Sequence, residues 1–375
     1  MDKERLNEAI GKVVCKLTNL GGADYDKDKT QSDAELTKGI IARDMGIEEW
    51  DWPQGVGLYG LVKLQAFYGD DRYDDFLEKW VKRNLETGLP SKNVNTTAPF
   101  LAIMDMVERK HDAALEKLCL ERAEWLIAPD GLFKTKDGAF QHVTSAIGNR
   151  NGINPNKDNV WADTLFMTVI FLNKAGQYFN RQDFVDEAVY QFLVHIKYLY
   201  EKTNGLIHHG WTFAEMGNFG GVFWCRGNSW FTYGAVDFLD GFRNIPISNP
   251  DRRFILQTYQ DQVETLARLQ AEDGLWHTVL DDEDSYTETS GSAAITAGII
   301  KGIKRGYLDE KTYRPVAEKA IEGILSRIEP DGTVSGVSGG TGVGRDKERY
   351  KIVLTLPMAY GQALTLIALS EALGF

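Results

Sequence analysis

The sequence predicts an all-α fold, a closed (α/α)6 barrel of six inner and six outer helices with short strands in the connecting loops. Three observations lead to this prediction. Apolar residues recur at helical spacing, two kinds of helical segment alternate along the chain, and an Asp-Gly or Asn-Gly pair follows four of the segments. Because no Ser-, Pro- or Gly-rich linker divides the chain, residues 1–375 are predicted to form a single domain.

Six amphipathic segments predict the outer helices. In the first, Leu6, Ile10, Val13 and Leu17 recur at spacings of three and four residues, which places them on one helical face. The pattern recurs in DDFLEKWVKRNLE, HDAALEKLCLERAEWLI, FVDEAVYQFLVHIKYLYE, RRFILQTYQDQVETLARLQ and TYRPVAEKAIEGILSRI. Each segment carries charges on its opposite face, so each is expected to lie at an outer surface.

Six intervening segments predict the inner helices because they are apolar on almost every face. They are GVGLYGLVKLQAFYG, TTAPFLAIMDMVER, ADTLFMTVIFLNKAG, NSWFTYGAVDFLDGF, GSAAITAGIIKGI and MAYGQALTLIALSEALGF. An open solenoid of helical pairs is the alternative arrangement, but a ring covers all the inner helices without capping units. One additional helix is expected around Asp33–Met45.

Four glycines, each after Asp or Asn, predict the turns between units. They are Gly131, Gly205, Gly274 and Gly332. Glycine commonly ends a helix in the left-handed conformation, and short apolar strands are expected to follow. The glycine-rich stretch 335–344 is predicted to be a loop within the last unit.

The composition excludes several classes of function. The chain has 42 Lys and Arg against 54 Asp and Glu, a net charge of −12, which argues against nucleic acids and anionic membranes as partners. No stretch approaches the roughly 18 apolar residues of a membrane span, and the charged start has no apolar leader. Cys15, Cys119 and Cys225 are odd in number and widely spaced, which is typical of a reducing compartment. A cytoplasmic protein is expected, and its oligomeric state is left open.

The unusual polar and aromatic residues cluster at the starts of the inner helices. They occupy residues 50–55 (WDWPQG), 95–99 (NTTAP), 161–164 (WADT), 224–230 (WCRGNSW), 288–292 (ETSGS) and the loop before the last helix. In a barrel these six junctions meet at one mouth. Helix N-termini also offer free N–H groups and the positive ends of helix dipoles, which suit an anionic ligand.

Asp163 is the strongest candidate for a catalytic residue. It lies in VWADTLFMTVIFL, where its neighbours are almost all apolar. An aspartate before a helix is also a common N-cap, and the two roles can coexist. Burial by tryptophans raises the pKa of a carboxyl group, whereas the helix dipole lowers it, and a general acid requires the first effect to prevail.

Most of the predicted substrate-binding residues lie in the same junctions, while His142 and the segment with His209 and Trp211 follow Asp-Gly or Asn-Gly turns and can overhang the mouth. An arginine recognises carboxylates or hydroxyls through its fork of donors, although it equally serves structural ion pairs. Tryptophans stack on sugar rings or pack in the core, and the histidines are either ligands or structural hydrogen-bonding residues. The predicted set is Trp52, Gln54, Asn95, His142, His209, Trp211, Trp224, Arg226, Trp230 and Ser290.

Motifs for other chemistries do not occur. The sequence has no HExxH pair and no His/Cys spacing typical of zinc, and its glycine-rich loop lacks the Lys-Ser/Thr ending of a phosphate loop. Ser290 and Ser292 lack the GxSxG elbow of hydrolases. The run DDEDSYTE lacks EF-hand spacing and is interpreted as a solvated acidic loop. Neither a metal nor a cofactor is expected.

Several motifs together resemble the unsaturated glycuronyl hydrolases of glycoside hydrolase family 105, which include unsaturated rhamnogalacturonyl hydrolases. They are WDWPQGVGLYGL, NVNTTAPFLAI, VWADTLFM, HHGWTF, FWCRGNSW and ETSGSAA, and the resemblance runs from about residue 35 to the C-terminus. It implies an (α/α)6 barrel acting on oligosaccharides left by polysaccharide lyases, such as unsaturated galacturonyl-rhamnose from rhamnogalacturonan in pectin. These carry a 4,5-unsaturated uronic acid at the non-reducing end.

The resemblance also implies roles for individual residues. Asp163 matches the family's aspartate in a Trp-x-Asp motif, which would protonate C4 of the vinyl ether and then help water add to C5. The hemiketal so formed opens and expels the remaining sugar. The family's sugar-contact positions fall on Trp52, His209, Trp224, Arg226 and Trp230. Asn95 stands where some relatives carry a second aspartate, and the insertion HVTSAIGNRNGINPNKDN bears on the subsite for the leaving sugar.

Two alternatives remain open from the sequence. One is another reaction on the same barrel, as in an inverting glycosidase or a sugar epimerase. An inverting enzyme needs a second carboxylate, for which Asp51 and Glu288 are the candidates. The other is a non-enzymatic helical-repeat scaffold that binds a protein partner through exposed apolar ridges.

Overall fold

The computed structural model describes residues 2–21, 32–242 and 249–375. Its α-helices are α1 (Lys3–Thr18), α2 (Asp33–Thr37), α3 (Trp52–Tyr68), α4 (Asp74–Thr87), α5 (Pro99–Lys110), α6 (Ala113–Ile127), α7 (Ile170–Phe179), α8 (Gln182–Leu199), α9 (Cys225–Asp240), α10 (Pro250–Arg268), α11 (Thr289–Lys304), α12 (Glu310–Ser326), α13 (Lys347–Lys351) and α14 (Ala359–Leu373). Its strands are β1 (Thr144–Ser145), β2 (Ile153–Asn154), β3 (Asn159–Trp161), β4 (Gly210–Thr212), β5 (Trp276–His277) and β6 (Thr287–Glu288). They form three antiparallel pairs, β1–β2, β3–β4 and β5–β6.

The long helices form the predicted closed double ring. The inner helices are α3, α5, α7, α9, α11 and α14, and each packs against the next. The ring closes because α14 contacts α3 as well as α11. The outer helices α1, α4, α6, α8, α10 and α12 alternate with them along the chain. The closed barrel is therefore confirmed, and the open solenoid is wrong.

Burial follows the two sequence patterns. Every residue of inner helix α14 except Glu371 is buried, whereas outer helix α4 buries only Leu77, Trp80, Val81 and Asn84. The inner helices approach closely through glycine. A Cβ added at Gly60 of α3 would lie 2.9 Å from backbone atoms of α14, so a larger residue there would separate the two helices.

The additional helix predicted around Asp33–Met45 is divided in two. Helix α2 begins with a capping box and ends at Thr37, and a 3-10 turn follows at Ala42–Met45. Between them Gly39 adopts φ +81°, and a Cβ there would lie 2.8 Å from the carbonyl oxygen of Gly340. This contact with the glycine-rich loop breaks the helix and carries the 3-10 turn to the barrel mouth.

The predicted glycine turns are confirmed at three positions. Gly205, Gly274 and Gly332 have φ of +77°, +87° and +85°. Gly131 is not among the glycines with positive φ. It is needed for space, because a Cβ there would lie 1.8 Å from the Trp125 carbonyl oxygen. The expected strands are short: β5 follows Gly274, and the other three turns lead to isolated bridges.

A charged network closes the end of the barrel opposite the mouth. Asp237, near the end of α9, accepts from Tyr59 and Lys63 of α3 and from Lys301 of the adjacent helix α11. Lysines near helix C-termini also complement the negative ends of the helix dipoles. In the described ranges, no helix is both long and apolar enough to cross a membrane.

Candidate active site

A cavity of about 260 Å³ opens where the inner helices begin. Five of the six predicted junctions line it, through Trp52, Asn95, Trp161, Asp163, Trp224, Arg226, Gly340–Gly342 and Arg349. The junction at 288–292 is buried and does not reach the cavity. The arrangement brings segments from most of the chain to one small pocket.

Asp163 lies in this cavity immediately after β3. Strand β3 pairs with β4, with Trp161 opposite Gly210, and this pairing sets His209 beside the carboxylate. Nε2 of His209 is 3.3 Å from Oδ2 of Asp163, and Nε1–H of Trp230 donates to Oδ1 over 3.1 Å. Asp163 is therefore held by two side chains that arrive from later segments.

The capping alternative for Asp163 does not match this geometry. Within the described part of the chain, its carboxylate accepts no backbone N–H. The helix begins as a π-helical turn, Leu165–Val169, before α7. Such turns are frequent at functional sites.

The surroundings of Asp163 act on its pKa in opposite directions. Burial raises the pKa, but His209, with contributions from His142 and Arg226, outweighs burial and leaves the pKa below its ordinary value. Burial also lowers the pKa of His142 to about 4 and that of His209 below its usual range. Asp163 is therefore ionised and lies beside neutral imidazoles.

The tryptophans of the site differ in how far they are exposed to the cavity. Trp52 stacks on Tyr360 at 4.5 Å and Trp161 stacks on His142 at 4.3 Å, and both tryptophans are half-buried in the cavity wall. Trp230 is fully buried, so it contacts Asp163 through its N–H and cannot offer a ring face to a sugar.

Trp224 and His209 form a buried pair next to these tryptophans. Trp224 lines the cavity but is almost fully buried, with its ring 4.2 Å from the ring of His209. His142 also lines the cavity, and its Nδ1 lies 2.8 Å from Oγ1 of Thr164. Asn95, in a 3-10 turn before α5, also lines the cavity.

Arg226 has the structural role that the sequence left open. It is fully buried, and its two Nη groups donate to the carbonyls of Ser338 and Gly339 at 2.9 and 3.0 Å. Its guanidinium also lies over the ring of Trp224 at 4.4 Å. Those donors hold the glycine-rich loop, while Arg226 also lines the cavity, so its contact with substrate stays a prediction.

Three further predicted binding residues lie outside the cavity. Ser290 donates to Glu288 over 2.6 Å, Gln54 donates to the Gly46 carbonyl over 2.7 Å, and Trp211 packs against Tyr198. These predictions are corrected for a common reason: each side chain faces the packing between elements and not the cavity.

The candidates for a second carboxylate are engaged as helix caps. Asp51 accepts from Trp52 N at 2.8 Å and from Ser145 Oγ at 2.6 Å. Glu288 accepts from the backbone of Ser290, Gly291 and Ser338. Neither lines the cavity, so neither is placed to activate a water for an inverting reaction.

Asp44 is a cavity carboxylate that the sequence analysis missed. It lies in the 3-10 turn, is 1% exposed, and accepts from Arg43 over 3.4 Å. Burial raises its pKa to about 7, against the opposing charge of Arg43. The glycine-rich loop packs on Asp44, with a Cβ at Gly340 3.6 Å from its Oδ2, and the local sequence carries no signal of this distant contact.

The insertion before Trp161 forms one wall of the cavity. Its strands pair as Thr144 with Asn154 and Ser145 with Ile153, and the wall residues include Ile147 and Asn156. Arg43 and Arg349 add cationic groups at the rim. Across the described ranges, His, Cys, Asp and Glu side chains form no group suited to a metal ion.

Comparison with known proteins gives consistent matches. The family model "Glycosyl Hydrolase Family 88" matches residues 30–375. The unsaturated rhamnogalacturonyl hydrolase YesR of Bacillus subtilis is 30% identical over 351 residues, covering 93% of this chain and 96% of that protein. An unsaturated 3S-rhamnoglycuronyl hydrolase of Formosa agariphila is 30% identical over 187 residues, 47% of this chain and 49% of that protein.

Solved structures extend the likeness to the whole fold. A possible member of the GH105 family from Salmonella enterica superposes with a TM-score of 0.91 at 36% identity, covering 100% of this chain and 95% of that one. A similar protein from Klebsiella pneumoniae gives 0.89 at 34% identity, with 100% and 94% covered.

Proposed function

The chain belongs to glycosyl hydrolase family 88, and from that premise we propose that Asp163 is its general acid and base. The resemblance found in the motifs is confirmed by the family match and by the GH105 structures. The protein is a glycoside hydrolase that releases an unsaturated uronic acid from oligosaccharides. A non-enzymatic scaffold has no support.

The first step is protonation of the substrate's double bond. In a 4,5-unsaturated uronic acid, C4=C5 is joined to the ring oxygen, so a proton added at C4 leaves a positive charge shared by C5 and that oxygen. Oδ1 of Asp163 accepts from Trp230, and this bond holds the carboxylate that would deliver the proton. The proposal rests on one observation: the Asp163 carboxylate lines the cavity and is held by Trp230 and His209.

The second step is addition of water at C5. Water bonds through oxygen to C5, and its proton returns to the Asp163 carboxylate, which restores the acid. The resulting hemiketal opens by breaking the bond between C5 and the ring oxygen. The aglycone then leaves from C1, with one water consumed and no net change at Asp163.

The substrate itself helps Asp163 hold the proton. Its carboxylate brings a negative charge near Asp163, and a neighbouring like charge raises the pKa of a carboxyl group. Arg43 and Arg349 lie at the cavity rim, where they favour an anionic sugar. The negative charge of the bound uronate therefore raises the pKa of Asp163, against the lowering by His209.

We infer that the leaving sugar is rhamnose and that it rests against the β1–β2 hairpin. A relative matched over 93% of this chain is a rhamnogalacturonyl hydrolase, and the hairpin forms a cavity wall.

We also propose that residues 1–375 act as one catalytic domain. Cys15, Cys119 and Cys225 are unpaired, which favours the cytoplasm as the compartment.

The test is Asp163→Asn assayed on lyase-generated disaccharides by the loss of the double-bond absorbance. We expect the variant to keep its circular dichroism spectrum and to lose turnover. The matched control is Asp112→Asn, which alters an exposed carboxylate that caps α6. Turnover by Asp163→Asn at the rate of the control would remove Asp163 from this role. Cleavage of a saturated disaccharide by the unaltered enzyme would instead favour the inverting alternative.

A further inference from the structure

A second residue stands behind His209 in line with Asp163. The hydroxyl of Tyr350 lies 2.8 Å from Nδ1 of His209, and Nε2 of the same ring lies 3.3 Å from Oδ2 of Asp163. Tyr350 belongs to α13 and is 1% exposed, and His209 is 2% exposed. One imidazole therefore joins a buried hydroxyl to the proposed catalytic carboxylate.

The hydrogen bonds of Tyr350 determine which nitrogen of His209 carries the proton. The backbone N–H of Gly344 donates to the Tyr350 oxygen over 3.0 Å. The hydroxyl proton is then free to be donated, and Nδ1 of His209 is the acceptor within reach. A neutral imidazole that accepts at Nδ1 carries its proton on Nε2.

The Nε2–H group therefore faces Asp163 without pointing straight at it. At 3.3 Å the two atoms are close, yet neither makes an aligned hydrogen bond to any described residue, and both are buried. A donor and an acceptor so placed attract one another directly, so the Nε2–H group holds the Asp163 carboxylate in position.

We propose that Tyr350 is a positioning residue, whose hydroxyl holds His209 in the Nε2–H tautomer so that the Nε2–H group orients the Asp163 carboxylate for proton transfer. This role rests on the proposed function of Asp163. The opposite tautomer would turn the Nε2 lone pair toward the carboxylate, and the two would repel each other. The ring of Trp224 lies 4.2 Å from the ring of His209 and limits rotation of the imidazole.

The test is nitrogen NMR of protein labelled at the histidine rings, without substrate. In the unaltered enzyme we expect His209, assigned through His209→Gln, to show a protonated Nε2 and a hydrogen-bonded, unprotonated Nδ1. In Tyr350→Phe we expect the Nδ1 signal to lose that hydrogen-bond shift and the tautomers to mix. The kcat should fall by roughly tenfold or more, with KM little changed.

The matched control is Tyr259→Phe. Tyr259 is also fully buried and donates to a backbone carbonyl, that of Gly298, over 2.9 Å, but it lies away from the cavity. It should cost similar stability and leave both the His209 spectrum and kcat unchanged.

Two results would overturn the proposal: a protonated Nδ1 in the unaltered enzyme, or Tyr350→Phe with an unchanged spectrum and kcat. The first needs no variant, so the test survives if Tyr350→Phe does not fold. The tautomer is read without turnover, so its outcome is separate from that of Asp163→Asn.

Discussion

Nε1–H of Trp230 donates a 3.1 Å hydrogen bond to Oδ1 of Asp163. Trp230 lies one turn into α9, and Asp163 precedes α7, so two neighbouring inner helices meet at the carboxylate. A buried N–H donor stabilises the ionised form of the acid as it gives up its proton.

Trp230→Phe should therefore impair chemistry more than binding. The change keeps an aromatic ring and removes the donor, and we expect kcat to fall about tenfold, equal to ~1.4 kcal/mol of transition-state stabilisation. Steady-state kinetics on an unsaturated disaccharide measure this.

Trp276→Phe is the control for the lost ring volume. Trp276 is also fully buried and donates through Nε1 to a backbone carbonyl, that of Leu266, over 2.7 Å, outside the cavity. Equal losses of kcat in both variants would mean that packing, and not the bond to Asp163, explains the effect.

Asp44→Asn should change how stability depends on pH. Burial raises the pKa of Asp44 to about 7 in the folded protein, above the value of about 4 expected when unfolded. Between these values the folded state binds more protons, so this residue makes the protein less stable as pH rises from about 4 to 7. Asn carries no charge, so the variant should be more stable than the unaltered protein at pH 8.

Thermal unfolding midpoints at pH 5 and pH 8 measure this effect. We expect the gap between the variant and the unaltered protein to widen toward pH 8 by on the order of 1 kcal/mol or more. A gap that stays constant across this range would show that Asp44 does not hold an extra proton in the folded state.

Asn154→Ala should affect the leaving sugar rather than the uronate. Asn154 lies on β2 in the cavity wall, and loss of one hydrogen bond to a sugar should raise KM roughly three- to tenfold. Activity on an unsaturated methyl uronide, which lacks the second sugar, should stay unchanged. Asn151→Ala, on the same hairpin but outside the cavity, is the control. Equal changes with both substrates would place Asn154 at the uronate instead.

Asp237→Asn should destabilise the barrel without altering its chemistry. Asp237 neutralises Lys301 and Lys63 at the end of the barrel far from the cavity. Breaking a buried ion pair from one side costs about 3–5 kcal/mol. Denaturant unfolding should show this loss, while kcat at low temperature remains that of the unaltered enzyme.

Asp75→Asn serves as the surface comparison for Asp237→Asn. It removes an exposed pair with Lys79 and should change stability little. Equal losses of stability in the two variants would contradict a special role for the buried network.

The barrel was predictable because its determinants are local and repeated. Alternation of amphipathic and all-apolar segments follows from the burial of each helix, and a closed ring requires both kinds. The break at Gly39 was not predictable, because it results from contact with Gly340 in a distant part of the chain. The same loop packs on Asp44, which therefore escaped the sequence analysis.

The site was predictable where a residue's chemistry and its position agree. Asp163 and Trp52 stand at helix junctions, His142 follows an Asp-Gly turn, and all three line the cavity. Arg226 also stands at a junction, but its partners are carbonyl oxygens of a loop 112 and 113 residues later in the chain. Every residue type has a main-chain carbonyl, so the sequence does not show which arginine will bond to one. A structural arginine and a binding arginine therefore look alike in sequence.

The central claim is that Asp163 transfers a proton to C4 of the unsaturated uronic acid. The most direct measurement is turnover in D2O, with the released acid analysed by NMR. The account predicts one deuterium at C4 from the unaltered enzyme and no released acid from Asp163→Asn. Released acid without deuterium at C4, or with deuterium delivered at an undiminished rate by Asp163→Asn, would contradict it.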